Sequence, residues 1–333
     1  DPDTGSKAYA VFAGETLINK DATQPDAAYT KLVVGSTDPA ITDAHTLASS
    51  MGFMTVTGVQ DGLFIRGEGT EFVLVGADDT MPGIDADNLM LADGAIDVGE
   101  GATMTFGSYG KAVGTKGKFT TVSVDGTLHA KNGVFTGESV TGTGTVQIGD
   151  ADKVQNAQLI VNTVELNDGA LTVAAHGTLT SAQSVKLTDA ASDVAGSLTT
   201  AALTVSGGTF ANSGALDADV FELADGAAFT QTGETAQTTA DTFNVGGSAT
   251  ITEGELVVTE TTTVTAGSTL TSGVDAVITT GKLSVAGSVT AEGSVTADRV
   301  EGAGNVSVAD LTAGVVEMTG GSFVSDAFDT DSM

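Results

Sequence analysis

One short phrase recurs along most of this chain and constrains the fold more than any other feature. It runs apolar, any residue, apolar, then a Gly-centred turn, then a small or hydroxyl residue and another apolar one. Leu89-Met90-Leu91-Ala92-Asp93-Gly94-Ala95-Ile96 is one copy, and Val122-Ser123-Val124-Asp125-Gly126-Thr127-Leu128 is another. Val164–Leu171, Leu203–Phe210, Phe221–Phe229 and Val316–Phe323 repeat it. A unit this small cannot bury a core alone, so it must stack on its neighbours.

The apolar-x-apolar element is placed at residues 89, 104, 122, 146, 164, 185, 203, 221, 243, 264, 283, 300 and 316, at steps of 15 to 24 residues. The copies at 185 and 300 lack the Gly turn. Steps this loose exclude a strict hexapeptide solenoid and fit coils of three short strands with variable turns. Val, Thr and Ile suit a pleated surface, whereas a Gly every six or eight residues would cost a helix about 1 kcal/mol each time. Asp-Gly and Gly-Gly pairs supply positive φ where the chain turns. The expected fold is therefore all-β, a parallel β-helix (β-solenoid). Thirteen coils about 4.8 Å apart would span roughly 60 Å.

Composition divides the chain near residue 88. All four prolines (Pro2, Pro25, Pro39, Pro82) and two of the three tyrosines lie before it. The expected organisation is an irregular N-terminal capping or assembly region over 1–88 and β-helix repeats over 89–333. The cap is read as mostly strands with one short helix. Asp38 and Pro39 open that helix, Ile41, Ala44, Leu47 and Met51 follow at helical spacing, and Gly52 stops it.

Charge narrows the partners. Twelve Lys and Arg face 43 Asp and Glu, a net −31, which repels nucleic acid and anionic membrane surfaces. With 41% hydrophobic residues the chain is read as folded rather than disordered. It has no cysteine, and no apolar run long enough to span a membrane as a helix. The start at Asp1 without Met reads as a processed or trimmed chain.

The chemistry-bearing residues are scattered. His45, His129 and His176 each stand alone in the sequence. Gly67-Glu68-Gly69 and Gly142-Thr143-Gly144 do not complete a dinucleotide fingerprint and are read as turns. A glycan-cleaving β-helix needs a working carboxylate pair or a basic residue beside a metal. Here no Lys or Arg occurs from Leu187 to Gly281, and Trp is absent. The expectation is a non-enzyme. The candidate metal ligands are Asp-x-Asp pairs at Asp85/Asp87, Asp150/Asp152 and Asp217/Asp219, with a fourth at Asp329/Asp331. Hard oxygen ligands on tight turns suit calcium, the one cofactor considered; none is required. Thr-x-Thr pairs at Thr55/Thr57, Thr103/Thr105, Thr143/Thr145 and Thr250/Thr252 do not recur at one place in each coil, which argues against a water-ordering hydroxyl array.

Phrases such as Val205-Ser206-Gly207-Gly208-Thr209-Phe210 and Gly267-Ser268-Thr269-Leu270-Thr271, over Leu89 to Phe323, resemble bacterial autotransporter passenger domains of the adhesin type. S-layer proteins and β-solenoid surface filaments are similar in style. The resemblance implies a right-handed parallel β-helix displayed outside a Gram-negative cell. No barrel strands of a C-terminal translocator follow residue 323. It further implies an extracellular adhesin, filament or coat subunit that self-associates as a homo-oligomer or polymer, with host or bacterial surface glycans or proteins as partners. The alternatives are a polysaccharide-processing enzyme on the same scaffold and a glycan- or host-ligand-binding module.

Overall fold

A computed structural model describes residues 96–101, 103–106 and 119–329 in full, together with the backbone of strands between residues 8 and 118. Every regular element among the described residues is a β-strand, and every strand pairing given below is parallel. The fold is a parallel β-solenoid. The chain divides into two compact units, Asp1–Thr180 and Ser181–Met333, treated separately below.

In the first unit each coil has three walls. Wall A precedes the Gly corner of the repeated phrase, wall B follows it, and wall C closes the coil. Thr121–Val124 (A), Thr127–Ala130 (B), Gly133–Thr136 (C), Ser139–Gly142 (A) and Thr145–Ile148 (B) begin six residues apart. Four residues of strand and two of corner make each step. The expectation that a hexapeptide period is excluded is thus corrected for this stretch. An eight-residue excursion, 149–156, then breaks the period before Ala157–Asn167 resumes it.

The two halves of the phrase occupy different walls. Wall A stacks Ile96, Val122, Val140 and Val164 in one inward column. Wall B stacks Met104, Leu128, Val146 and Leu171 in another. All eight are buried. The series 104, 122, 146, 164 therefore alternates between walls B and A, which is why its steps are irregular. Leu89 itself belongs to wall C, in register with Gly117. The corners also stack: Thr145 N–H donates to Gly126 O at 2.8 Å, and Ala170 N–H donates to Gly144 O at 3.1 Å. At the Asp168-Gly169 corner Asp168 takes the left-handed conformation (φ 57°). Gly169 is needed for space, since a Cβ there would lie 2.4 Å from Gly144 O.

The helix expected over residues 38–51 is not formed. His45–Met51 is a strand, in register with Ala8–Ala13 on one side and with Glu71–Leu74 on the other. Asp38, Pro39, Ile41 and Ala44 lie outside the described residues. Two parallel neighbours satisfy this backbone on both edges, and that outweighs a local capping signal. The pairing pattern does not change at residue 88: Glu71–Leu74 pairs with Thr103–Phe106, and Leu63–Arg66 with Ala95–Val98.

The second unit uses the same phrase. Its wall A column is Leu203, Phe221, Phe243, Thr262, Leu283, Val300 and Val316. The element placed at 264 thus begins at Thr262, whose hydroxyl is satisfied in the core by donating to Thr280 Oγ1 at 3.0 Å. The copy at 300 does carry a Gly corner, Gly302-Ala303-Gly304.

Aromatic rings fill four neighbouring core positions. Phe221 stacks on Phe243 (4.6 Å between centroids, 19°) and meets Phe229 edge-on (5.0 Å, 83°), with Phe210 beyond. Beside them lies a buried polar knot. Asn212 donates to Gln237 O and to Thr238 Oγ1, both at 3.0 Å. Thr238 Oγ1 donates to Gln231 Oε1 at 2.6 Å, and Gln231 donates to the backbone carbonyls of Ala236, Glu253 and Glu255. Each amide is satisfied, so the knot fixes register rather than leaving buried polar groups unpaired.

Candidate functional site: a charge-free hydroxyl wall

Strand alternation dictates what each wall shows to solvent. On wall B of the second unit Phe210, Phe229, Ala249, Leu270, Val289 and Val306 point inward and are buried. Their strand neighbours must then point outward. One outward column reads Thr209, Ala228, Ser248, Thr269, Ser288, Asn305, Ser322. The other reads Ala211, Thr230, Thr250, Thr271, Thr290, Ser307, Val324. Rungs lie about 4.8 Å apart and the two columns roughly 6.6 Å apart, so the hydroxyls form a two-dimensional lattice. Neighbouring rungs brace one another: Thr269 Oγ1 donates to Ser248 Oγ at 3.2 Å, and Ser322 Oγ donates to Asn305 Oδ1 at 3.0 Å.

The Thr-x-Thr pairs named from the sequence do not share one place, but a broader polar pattern does recur in register. Ser248-x-Thr250, Thr269-x-Thr271, Ser288-x-Thr290 and Asn305-x-Ser307 occupy the same two positions in successive coils. Thr-x-Thr alone does not mark them, because Ser or Asn fills one site of most pairs. The signal that would have found them is the register, through the shared inward residue between each pair.

No charged residue occurs in either column from Thr209 to Val324. The other walls of this unit do carry charge. Wall A shows Glu222, Lys282, Arg299, Glu301 and Glu317, and wall C shows Asp217, Glu255, Asp310 and Asp329. Residues 181–333 hold three Lys and Arg against 20 Asp and Glu, a balance of −17. Lys282 and Arg299 are both engaged: Lys282 Nζ lies 3.2 Å and Arg299 Nε 2.7 Å from the Glu301 carboxylate, and Arg299 also reaches Glu317. Arg299, by donating to Glu301 and facing both glutamates, is held more basic than usual; Glu301, accepting from Arg299 and Lys282, is held more acidic.

Of the calcium candidates, one described pair lies in the second unit and off the two wall B columns. Asp217 and Asp219 alternate along the strand Ala215–Leu223 and are both exposed. Asp150 and Asp152 lie on the 149–156 excursion of the first unit. Asp87 starts the strand Asp87–Leu91, while Asp85 and Asp331 lie outside the described residues. Among the described residues, no three His, Cys, Asp or Glu side chains come together as a metal-binding group. Likewise among them, no helix is long and apolar enough to cross a membrane. Gly142-Thr143-Gly144 is a corner, as read from the sequence. His176 lies in the turn before Gly177–Thr188, and His45 starts a strand.

His129 is a perturbed base in the first unit. It sits on wall B of the first unit, in register with Thr105 and Gln147. Its Nε2 is 3.4 Å from Asp150 Oδ1, which also accepts a hydrogen bond from Gln147 Nε2 at 2.5 Å. Burial lowers the imidazole pKa, Lys131 adds to the lowering, and Asp150 opposes it. The native state therefore favours neutral His129 relative to the unfolded chain. Its share of stability is complete above about pH 6.5 and is lost as pH falls through the lower native value. His129→Gln, which matches the next rung's Gln147, is expected to flatten that part. The urea midpoint difference between wild type and variant should shift in the variant's favour between pH 7.5 and pH 5. An unchanged difference contradicts the assignment.

Fold and face together define a parallel β-solenoid in whose acidic second unit one wall is hydroxyl-bearing and free of charge over the seven rungs from Thr209 to Val324. The chain matches no family model, no curated protein and no solved structure.

Proposed function

We propose that the chain is an extracellular structural β-solenoid of a bacterial surface, an adhesin, filament or coat subunit that self-associates and performs no chemistry. The observation that carries this reading is the repetition of outward positions from coil to coil. A contact made by one rung is offered again by the next, so weak contacts sum through multivalency. A ligand on such a surface would itself repeat, as a second subunit or a surface glycan does. The acidic walls make assembly depend on ionic conditions, because like charges closer than about 8 Å are poorly screened at physiological salt. Divalent cations such as calcium would bridge those walls.

Sedimentation velocity of the whole chain over a range of concentrations tests this, with NaCl or calcium raised and EDTA added in separate runs. Assembly that grows with salt or calcium supports the reading. A chain that stays monomeric in every condition overturns self-association, and release of sugars from a polysaccharide panel would replace the structural role with an enzymatic one.

A further inference from the structure

We infer that wall B of the second unit is the face through which two copies of this chain pair. The inference rests on the self-association proposed above and names the surface that carries it.

The first argument is electrostatic. Two copies that meet through wall A or wall C bring Glu222, Glu317, Asp217 or Asp310 near their counterparts. Each like pair at about 4 Å costs on the order of 1 kcal/mol even at the dielectric constant of water. Wall B against wall B over the seven rungs from Thr209 to Val324 brings no charge of either column into the contact and leaves the acids of walls A and C facing solvent. In a unit at −17, the seven rungs from Thr209 to Val324 are a stretch in which neither column carries charge; Asp193 ends it on the rung before Ala211, and Glu292 and Asp326 stand at its border.

The second argument is chemical. A two-fold contact places a surface against itself, so that surface must be self-complementary. Carboxylates only accept hydrogen bonds and cannot satisfy one another. Hydroxyls donate and accept, and so does the Asn305 amide. Threonine adds a methyl group and few χ1 alternatives, so little side-chain freedom is lost on contact. Ser, Thr, Ala and Asn are short enough to let two sheets approach closely.

The third argument is the apolar border. Val274 and Val324 are 68% and 54% exposed. They flank a groove of about 390 Å³ that also takes in Thr290, Ala291, Ser307 and Val308. Glu292 and Asp326 stand in the same lining and limit how the second copy can be offset. Size sets the strength. Seven rungs of about 4.8 Å by a four-residue strand of about 13 Å give roughly 440 Å² per copy. A stable dimer buries about 800 Å² per partner, so pairing here is weak and needs high local concentration.

The test is sedimentation equilibrium of the full chain and two paired variants. Thr250→Glu/Thr290→Glu charges wall B, and Thr279→Glu/Thr296→Glu charges outward positions of wall C in the same unit. The wall B variant is expected to weaken association by at least about tenfold and the wall C variant to leave it within about twofold. Equal weakening by both variants, or by neither, overturns the inference while the proposed function stands. A wild-type chain that never associates overturns both. A monomer that shows thermal hysteresis lost in the wall B variant would assign the face to ice instead. Should the charged variant fail to fold, a single spin label at Thr271→Cys decides the matter in otherwise wild-type protein. Facing walls place two labels within roughly 34 Å, the length of seven rungs, and absence of any dipolar coupling under associating conditions overturns the pairing.

Discussion

Phe221→Ala is expected to destabilise the second unit by about 3–5 kcal/mol. The Phe221 ring is fully buried, stacked on Phe243 and edge-on to Phe229. The next rung after Phe243 holds Thr262, and the next after Phe229 holds Ala249. On that side the rung next to the rings holds only small side chains, while Leu203 flanks Phe221 on the other. The backbone is held on both edges by parallel neighbours and cannot close the gap. The cost should therefore fall near the upper part of the range for large-to-small changes, with Phe221→Leu costing clearly less. Hydrogen exchange measured by mass spectrometry reports it: protection of the strands from Leu203 to Val245 should drop together. A loss below about 1 kcal/mol would mean that the four rings do not share one core.

Gly142→Ala and Gly302→Ala are expected to cost at least about 3 kcal/mol each, through strain and overlap combined. The two glycines hold the same place, the end of a wall A strand and the first residue of a Gly-x-Gly corner. Both are at positive φ, 146° and 140°. A Cβ at Gly142 would lie 2.0 Å from Val124 O, and one at Gly302 would lie 2.0 Å from Val285 O. Those carbonyls are not free to move. Val124 O accepts from Gly144 N–H at 2.7 Å, and Val285 O accepts from Ala303 and Gly304 N–H at 3.0 and 2.9 Å. Gly226→Ala separates the two effects. Its φ is 79°, but no atom lies within 4 Å of its added Cβ. It should cost only the backbone strain, about 1–2 kcal/mol. Chemical denaturation of the three variants checks the order, and equal costs at all three positions would contradict it.

How much of this was legible in the sequence depends on which physical signal carried it. Alternation in Leu256-Val257-Val258 and Val306-Ser307-Val308, with Gly or Asp at corners, specified strands, inward faces and a parallel solenoid. The same alternation cannot say which wall a strand belongs to, because walls A and B both present apolar-x-apolar. Register is set by rung-to-rung backbone bonds, which leave no mark on composition. Alternation alone therefore marks Val264 rather than Thr262 as the column member, and does not separate Met104 from Val122. The six-residue step was hidden by the 149–156 excursion and by longer corners such as Ala224–Ala227. The hydroxyl wall needed register too, since Ser248, Thr269, Ser288 and Asn305 become equivalent only when Ala249, Leu270, Val289 and Val306 are stacked. The helix expected over 38–51 erred in the opposite direction: local capping chemistry was present, and pairing on both edges of His45–Met51 overrode it.

A ruler built into the second unit measures its architecture directly. The chain has no native cysteine, so pairs of spin labels can be placed at will in the outward column that includes Ala211. Thr271, Thr290 and Ser307 lie three, four and five rungs further on. Double electron–electron resonance from Ala211→Cys to cysteines at those positions should give backbone separations near 14, 19 and 24 Å, rising by about 4.8 Å per rung. Separations that fail to rise in equal steps, or that spread broadly, would contradict a stack of parallel coils.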